Sequence, residues 1–384
     1  MRPNDFAEAA PGRLVFGQEG HCAFVPEPLP PNPVLDRSLI LQLTEAYGAL
    51  GELAGVGQRL PNPHLLIGAF LRREAVLSSR IEGTLATAQE LLLFEVMPTE
   101  PPRTPDVREV ANYVRALEHG LKRLKELPVS LRLLRELHEV LMHGVRGQEK
   151  NPGEFRTIQN YIGRPGTPLQ EARFVPPPPA EMQQSLHELE KYLHRESEWP
   201  FLVELALIHY QFEAIHPFID GNGRIGRLLI SLLLCERKLL PQPLLYLSAY
   251  FERHKDEYYD HLLRVSQKGA WLDWIRFFLR GIAEQSRDAV IRSARLLALW
   301  EQYRTKMQTP RASALILRLI DYLFSYPALT IPQASQMLNL TFRSAQANVQ
   351  RLVEAGILVE RTGGRRNRIF VAPEIVSLIE TETP

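Results

Sequence analysis

His216-Pro217-Phe218-Ile219-Asp220-Gly221-Asn222-Gly223-Arg224-Ile225-Gly226-Arg227 is the stretch on which the reading of this chain turns. It gathers a histidine, an aspartate, an asparagine, three glycines and two arginines. Before it, residues 201–214 are apolar with a period near 3.6 and hold no Gly or Pro, which predicts a buried helix. After it, residues 228–235 are again helical in pattern and almost wholly apolar. The polar cluster is therefore expected in a tight loop between two core helices. Charge placed between buried elements points to a ligand, because a buried charge without a partner is expensive.

The residue types suggest a nucleotide. Gly221 and Gly223 let the backbone come close to a ligand. They are expected just before the second helix, whose free N–H groups and positive dipole end favour a phosphate. Arg224 and Arg227 are three apart and project from one face of that helix's start. Arginine there opposes the helix dipole, which makes sense if an anion binds. Asp220 is a hard oxygen ligand suited to Mg2+ riding on phosphates. His216 can take a proton near neutral pH. Two blander readings compete. Gly221, Gly223 and Gly226 also match the dinucleotide-binding Gly-x-Gly-x-x-Gly, but that fingerprint needs a preceding strand and a later acid, and residues 244–247 hold none. A capped helix–loop–helix explains the glycines but not His216, Asp220 and both arginines together.

The stretch resembles the Fic-domain motif, H-x-F-x-[DE]-G-N-G-R-x-x-R, at every defined position. Fic proteins mostly transfer AMP from ATP to a hydroxyl side chain of a target protein. The resemblance implies that His216 is the general base for the target hydroxyl and that Asp220 holds Mg2+. It implies that Asn222 and the backbone of Gly221, Asn222 and Gly223 grip the α-phosphate. Arg224 and Arg227 hold the outer phosphates, and Ile225 and Gly226 complete the ATP-binding run.

The chain has 384 residues and a formal net charge of +1. That length suggests two or three domains at roughly 150 residues each. Near-neutral charge gives no overall pull toward nucleic acid or membrane. The two cysteines, Cys22 and Cys235, argue for a reducing compartment without a disulfide framework. The N-terminus, with Asp5, Glu8 and several prolines, is expected to carry no signal peptide. No apolar run is long enough to span a bilayer. The expectation is a cytoplasmic, mainly helical protein with no membrane partner.

Residues 1–36 are rich in proline (Pro26, Pro28, Pro30, Pro31, Pro33) and read as an extended, irregular arm. Residues 37–53 and 63–81 read as helices, the second capped by Asn62 with Pro63 in its first turn. Gly83 is a natural stop. Ser78, Glu82 and Gly83 match the inhibitory motif that many Fic proteins carry before the domain. By that resemblance Glu82 pairs with Arg227 and blocks the place of the ATP γ-phosphate. Further helices are expected over residues 87–96, 107–124, 131–142 and 180–194. Between them, residues 153–179 read as a hairpin with its turn at Gly163, Pro165 and Gly166. In Fic proteins the element at this place is a flap over the site. Ile158, Gln159, Asn160 and Tyr161 would supply an edge to which a target segment adds as a strand. Tyr250 and Arg253 resemble residues near the nucleotide, so Arg253 is a further ATP contact. A long helical run follows over residues 269–302.

Pro310 marks a boundary. Residues 312–324, 331–338 and 342–355 read as three helices, and residues 356–371 as a hairpin around Gly363 and Gly364. This resembles a winged helix. The third helix would offer Thr341, Arg343, Ser344, Gln346, Asn348 and Gln350, and Arg361, Arg365, Arg366 and Arg368 would make the wing basic enough for DNA phosphates.

The reading is a mainly α protein: a Fic helical core with a β-hairpin flap, plus a C-terminal winged helix-turn-helix domain. Residues 1–36 form the arm, 37–125 the region with the inhibitory motif, 126–304 the Fic core and 310–384 the winged-helix domain. The function it implies is an Mg2+-dependent protein adenylyltransferase, autoinhibited by Glu82. Its expected partners are ATP, a target protein with a Ser, Thr or Tyr hydroxyl, a second copy of itself in modification or as a homodimer, and DNA. The competing readings are a DNA-binding regulator with a nucleotide-sensing Fic domain, and a Fic enzyme that uses another nucleotide or removes AMP.

Overall fold

The computed structural model describes residues 1–17, 20–31, 36–59, 64–97, 104–145, 151–164, 166–196, 198–308, 314–363 and 367–381. A hairpin comes first, β1 (Gly12–Phe16) and β2 (Cys22–Pro26). Helices follow: α1 (Arg37–Arg59), α2 (His64–Ile81), α3 (Ala88–Val96), α4 (Pro105–Arg123) and α5 (Leu131–Leu141). Next come α6 (Pro179–His194), α7 (Phe201–Ile215), α8 (Asn222–Glu236), α9 (Ser248–Arg253), α10 (Lys255–Lys268) and the long α11 (Trp271–Met307). The chain closes with α12 (Ala314–Ser325), β3 (Ala328–Thr330), α13 (Ile331–Leu338), α14 (Phe342–Glu354), β4 (Val359–Glu360), β5 (Ile369–Val371) and α15 (Pro373–Glu380). No helix of the described residues is long and apolar enough to cross a membrane.

Contacts divide the chain into two compact units, neither continuous in sequence. The first holds Met1–Gly51, Arg115–Leu239 and Leu247–Gln285. Its centre is α7, buried at nearly every position, because apolar residues lie on all of its faces and its buried Glu204, His209 and Gln211 find hydrogen-bond partners inside. Around it His209, Phe251, Tyr258, Trp274 and Phe278 form an aromatic cluster, with the Trp274 indole N–H donating to the Ala206 carbonyl at 2.9 Å. The sequence-based expectation of an irregular N-terminal arm is corrected here. Residues 12–16 pair with residues 22–26 in antiparallel register, Gly12 with Pro26 through Phe16 with Cys22. Cys22, Ala23, Phe24 and Val25 are buried, so this edge is anchored by apolar side chains on both faces, and its prolines begin only where the ladder ends.

The second unit holds Glu52–Val114, Leu240–Tyr246 and Ser286–Pro384. Here α2 lies close against the end of α12. A Cβ on Gly68 would come within 2.2 Å of the Ser325 carbonyl oxygen, so only glycine permits that approach. Beside it the buried Arg72 guanidinium donates to the carbonyls of Gly68 and Ser325 and to Glu95 of α3 at 2.7 Å. Leu92 of α3 packs with Ala328, Ile369, Val371 and Val376. The helix that ends at the proposed inhibitory motif and the C-terminal module therefore share one core. That module holds the three expected helices, α12, α13 and α14, and the expected hairpin, β4 with β5. It adds β3 on the other edge of β5, giving the antiparallel order β3-β5-β4.

Candidate active site

Helix α7 ends in a left-handed turn at His216, whose φ is 50°. A non-glycine residue held there is strained, and such strain persists only where the surroundings impose it. The His216 Nδ1 lies 3.3 Å from the Glu213 carbonyl oxygen. A carbonyl only accepts, so Nδ1 carries the hydrogen, and in the neutral ring Nε2 keeps its lone pair. The ring is half-buried, and its Nε2 is the atom suited to receive a proton.

Four side chains shape the loop that follows. Asn222 holds Phe218 from both sides: its Oδ1 accepts the Phe218 N–H and its Nδ2 donates to the Phe218 carbonyl, each at 2.8 Å. Asn160 donates to the same carbonyl at 2.8 Å. The buried Arg156 donates to the His216 carbonyl at 2.9 Å and to those of Ile158, Ile215 and Pro177. Burial lowers its pKa to about 10, which still leaves it cationic at neutral pH. His138 of α5 lies 3.0 Å from the Asp220 carbonyl and stacks on Phe218 with centroids 3.9 Å apart. Burial first, and the Arg224 charge as well, push its pKa down to about 4.

The loop hands over to α8 through Gly221, at φ 78°. Helix α8 begins at Asn222, so Gly223 lies inside its first turn. This corrects the expectation that both Gly221 and Gly223 precede the helix. Gly226 is a glycine for a steric reason: a Cβ would meet Glu213 Oε1 at 2.3 Å. Both motif arginines are buried, and Arg224 lies 3.6 Å from Asp220. Below them His209 meets the Gly226 carbonyl at 3.2 Å and the Tyr258 hydroxyl at 2.8 Å. Full burial, then the Arg227 charge, lower its pKa to about 3, so the imidazole under α8 is neutral.

The donors fit a hard cation carried by phosphates. Among the described residues no three His, Cys, Asp or Glu groups cluster as an all-protein cage. Asp220 supplies one partly exposed carboxylate, whose Oδ1 accepts the Gly221 N–H at 2.7 Å. One carboxylate is enough for Mg2+ when phosphate oxygens and water complete its shell.

Family models match in two adjoining blocks, the Fic/DOC family N-terminal region over residues 40–122 and the Fic/DOC family domain over residues 128–234. The chain belongs to the Fic/DOC family. A protein adenylyltransferase Fic of Drosophila grimshawi is 29% identical over 202 residues, 51% of this chain and 38% of that protein. Its namesake from Aedes aegypti is 31% identical over 151 residues, 39% of this chain and 27% of that protein. The matches thus span less than half the length of these curated relatives. Two crystal structures share the fold at 20% identity. A Fic family protein from Desulfovibrio desulfuricans superposes with a TM-score of 0.57 over 90% of this chain and 98% of its own. A Fic domain containing signaling protein from Bacteroides thetaiotaomicron gives 0.53 over 67% of this chain and 97% of its own.

The Fic motif residues His216, Asp220, Gly221, Asn222, Gly223, Arg224, Ile225, Gly226 and Arg227 come together as one loop and helix start. The Asn222 amide is engaged on both atoms by Phe218, so it sets loop shape, and a side-chain contact to phosphate would require Phe218 to release it. Arg253 is exposed on α9, and its ion partner is Glu284 at 4.0 Å, not a motif residue. In the second unit, Ser78 is buried in the last turns of α2 and Glu82 is exposed just beyond them. Gly83, at φ 94°, ends the helix as expected.

The expected flap hairpin is corrected. Ile162 and Phe174 form a single isolated bridge, and residues 156–161 are not a strand. Arg156, Gln159 and Asn160 turn back to satisfy backbone carbonyls, Gln159 reaching Pro176 at 2.9 Å. The Tyr161 hydroxyl accepts the Gly166 N–H at 3.0 Å, and Ile158 stays exposed. On α14, Arg343, Gln346 and Gln350 are exposed, whereas Asn348 is buried and donates to the Ser344 carbonyl at 3.0 Å. Asn348 therefore does not belong to an outward face. Arg361 is exposed, and Arg368 lies over the Phe370 ring, its guanidinium carbon 5.4 Å from the centroid. Arg365 and Arg366 lie outside the described residues, as do Asn62, Pro63, Pro165, Pro310 and Gly364. Sequence reasoning missed His138, Arg156 and His209, since nothing local marks them: their loop partners lie far along the chain.

Proposed function

We propose that this chain is a protein adenylyltransferase. The observation that carries the reading is the His216 ring, held by its Nδ1–H so that Nε2 keeps a lone pair beside a loop bordered by one carboxylate and two buried arginines. A hydroxyl oxygen of the target protein attacks the α-phosphorus of ATP, and its proton passes to His216 Nε2. The bond from the α-phosphorus to the bridging oxygen breaks, and pyrophosphate leaves. Arg224 and Arg227 bind the outer phosphates and oppose the charge on the leaving group. Asp220 would hold Mg2+, which would supply further neutralisation of phosphate charge. Ile158, exposed on the segment before the bridge, is where a target chain docks.

Glu82 keeps this activity low by competing with the γ-phosphate for Arg227. The support is the order Ser78-x-x-x-Glu82-Gly83 at the end of α2 and the exposure of Glu82 there. In the C-terminal module, the outward Arg343, Gln346 and Gln350 of α14 and the exposed Arg361 favour a winged helix that binds duplex DNA.

The test is incubation of the purified chain with ATP labelled on the α- or the γ-phosphate, and with labelled GTP. The expected result is protein carrying α-label only from ATP. Label from GTP alone would assign another nucleotide. Label on protein from the γ-phosphate, or no protein label with any nucleotide, even from a Glu82→Gly chain, would overturn the reading.

A further inference from the structure

We propose that His138 is a positioning residue that sets the direction of Asp220, and that it does so by tying the motif loop to the start of the target-docking segment. The proposal rests on the reading of Asp220 as the Mg2+ ligand. The geometry leaves one arrangement of hydrogens. The backbone N–H of Gly153 points at His138 Nδ1 from 2.9 Å. Nδ1 must therefore accept, and the neutral ring carries its hydrogen on Nε2. Nε2 then donates to the Asp220 carbonyl at 3.0 Å. The ring is buried and lies against Phe218 at an interplanar angle of 9°, so it has little freedom to turn. Its Cδ2 also lies 3.6 Å from where a Cβ on Gly221 would stand, so the imidazole floors the left-handed turn beside Asp220.

Each contact has a consequence for the site. With its carbonyl pinned and its Oδ1 taken by the Gly221 N–H, the Asp220 carboxylate is held in one direction. Outer partners of this kind, which orient a ligand rather than bind the metal, typically matter tenfold to a hundredfold for metal affinity. The other end of the bridge is Gly153, three residues before Arg156, which holds the His216 carbonyl. One ring thus joins the loop bearing the acid to the segment leading to Ile158.

Three variants of the full chain separate the two bonds. His138→Gln reaches with its amide nitrogen toward the position of Nε2, keeping the bond to Asp220 and losing Gly153. His138→Asn places its amide oxygen near Nδ1, keeping Gly153 and losing Asp220. His138→Phe keeps the stack and loses both. Two quantities are read: hydrogen exchange of the backbone amides of residues 218–221 without metal or nucleotide, and the Mg2+ concentration giving half-maximal transfer of α-labelled AMP. For Asn and Phe we expect faster exchange and an Mg2+ requirement raised by about tenfold or more, with Gln within about threefold of the parent. The proposal is overturned if Asn and Phe match the parent in exchange, or if a folded Gln variant is as impaired as Phe. A parent chain that transfers no AMP would sink the adenylyltransferase reading, while the exchange experiment would still decide what His138 holds.

Discussion

The motif loop and helix α14 use the same kinds of polar side chain in opposite ways. Around the loop, Arg156, Asn160 and His138 reach backbone carbonyls 60, 58 and 82 positions away in sequence. On α14 the bonds are local: Thr341 caps the Ser344 N–H, Asn348 returns to Ser344, and Gln350 reaches Glu354. Remote bonds to buried carbonyls fix a single geometry, because breaking any of them strands a polar group away from water. Local bonds leave the outward residues of α14 to solvent, where the helix period alone decides what they face. The first arrangement suits chemistry at one atom. The second suits contact along a surface.

The strongest attempt to break this contrast exchanges a residue on each side. His216→Ala is expected to lower AMP transfer by about 10²–10⁴-fold while nucleotide binding persists, as loss of a general base does. Arg343→Ala is expected to leave transfer unchanged. Equal losses in radiolabel assays would end the distinction.

Stability provides the next comparison. Arg156→Met removes a buried cation that serves several carbonyls, and a loss of about 3 kcal/mol or more is expected in denaturant unfolding. Gln346→Ala, exposed on α14, is expected to stay within about 0.5 kcal/mol. A stable Arg156→Met chain would mean that water replaces the guanidinium.

Acid sharpens the contrast further. His138 and His209 are held neutral, with pKa values lowered to about 4 and about 3 from 6.5. Both folded values lie below the unfolded one, so the unfolded chain binds more protons between them. The stability these rings contribute is present above pH 6.5 and is lost as pH falls, by about 1 kcal/mol for each ring at pH 5.5. No histidine occurs between residues 286 and 384. Exchange-rate measurements on acidification are expected to show the motif loop opening before the C-terminal helices. Simultaneous opening would remove these imidazoles as the cause.

Smaller effects concern regulation and the outward face. Glu82→Gly is expected to raise self-modification by about tenfold, the size of one competing charge-assisted bond. Adding Arg227→Ala is expected to erase the gain, and unchanged activity in the single variant would return Glu82 to a structural role. For α14, Arg343→Ala is expected to weaken duplex DNA binding modestly and reduce the salt slope by about one. A gel shift insensitive to salt would count against phosphate contact there.

The helices were legible because their signals are local. Thr87 and Glu90 form a capping box at α3, and Thr330 and Gln333 form another at α13. Gly83 and Gly269 end α2 and α10 in left-handed turns. The N-terminal hairpin was obscured by prolines that follow it. The flap was misread because residues 156–161 alternate like a strand, while Arg156 and Asn160 answer to carbonyls of the motif loop instead.

By itself the sequence determined the order of the long helices and the membership of the motif loop, since periodicity, caps and a contiguous motif depend on neighbours in the chain. Only the tertiary structure decided that His138, Arg156 and Asn160 hold that loop, that Asn222 faces Phe218 and that Asn348 turns inward. A backbone carbonyl accepts from whichever donor packing brings to it, and no local propensity names a partner 60 or 82 residues away.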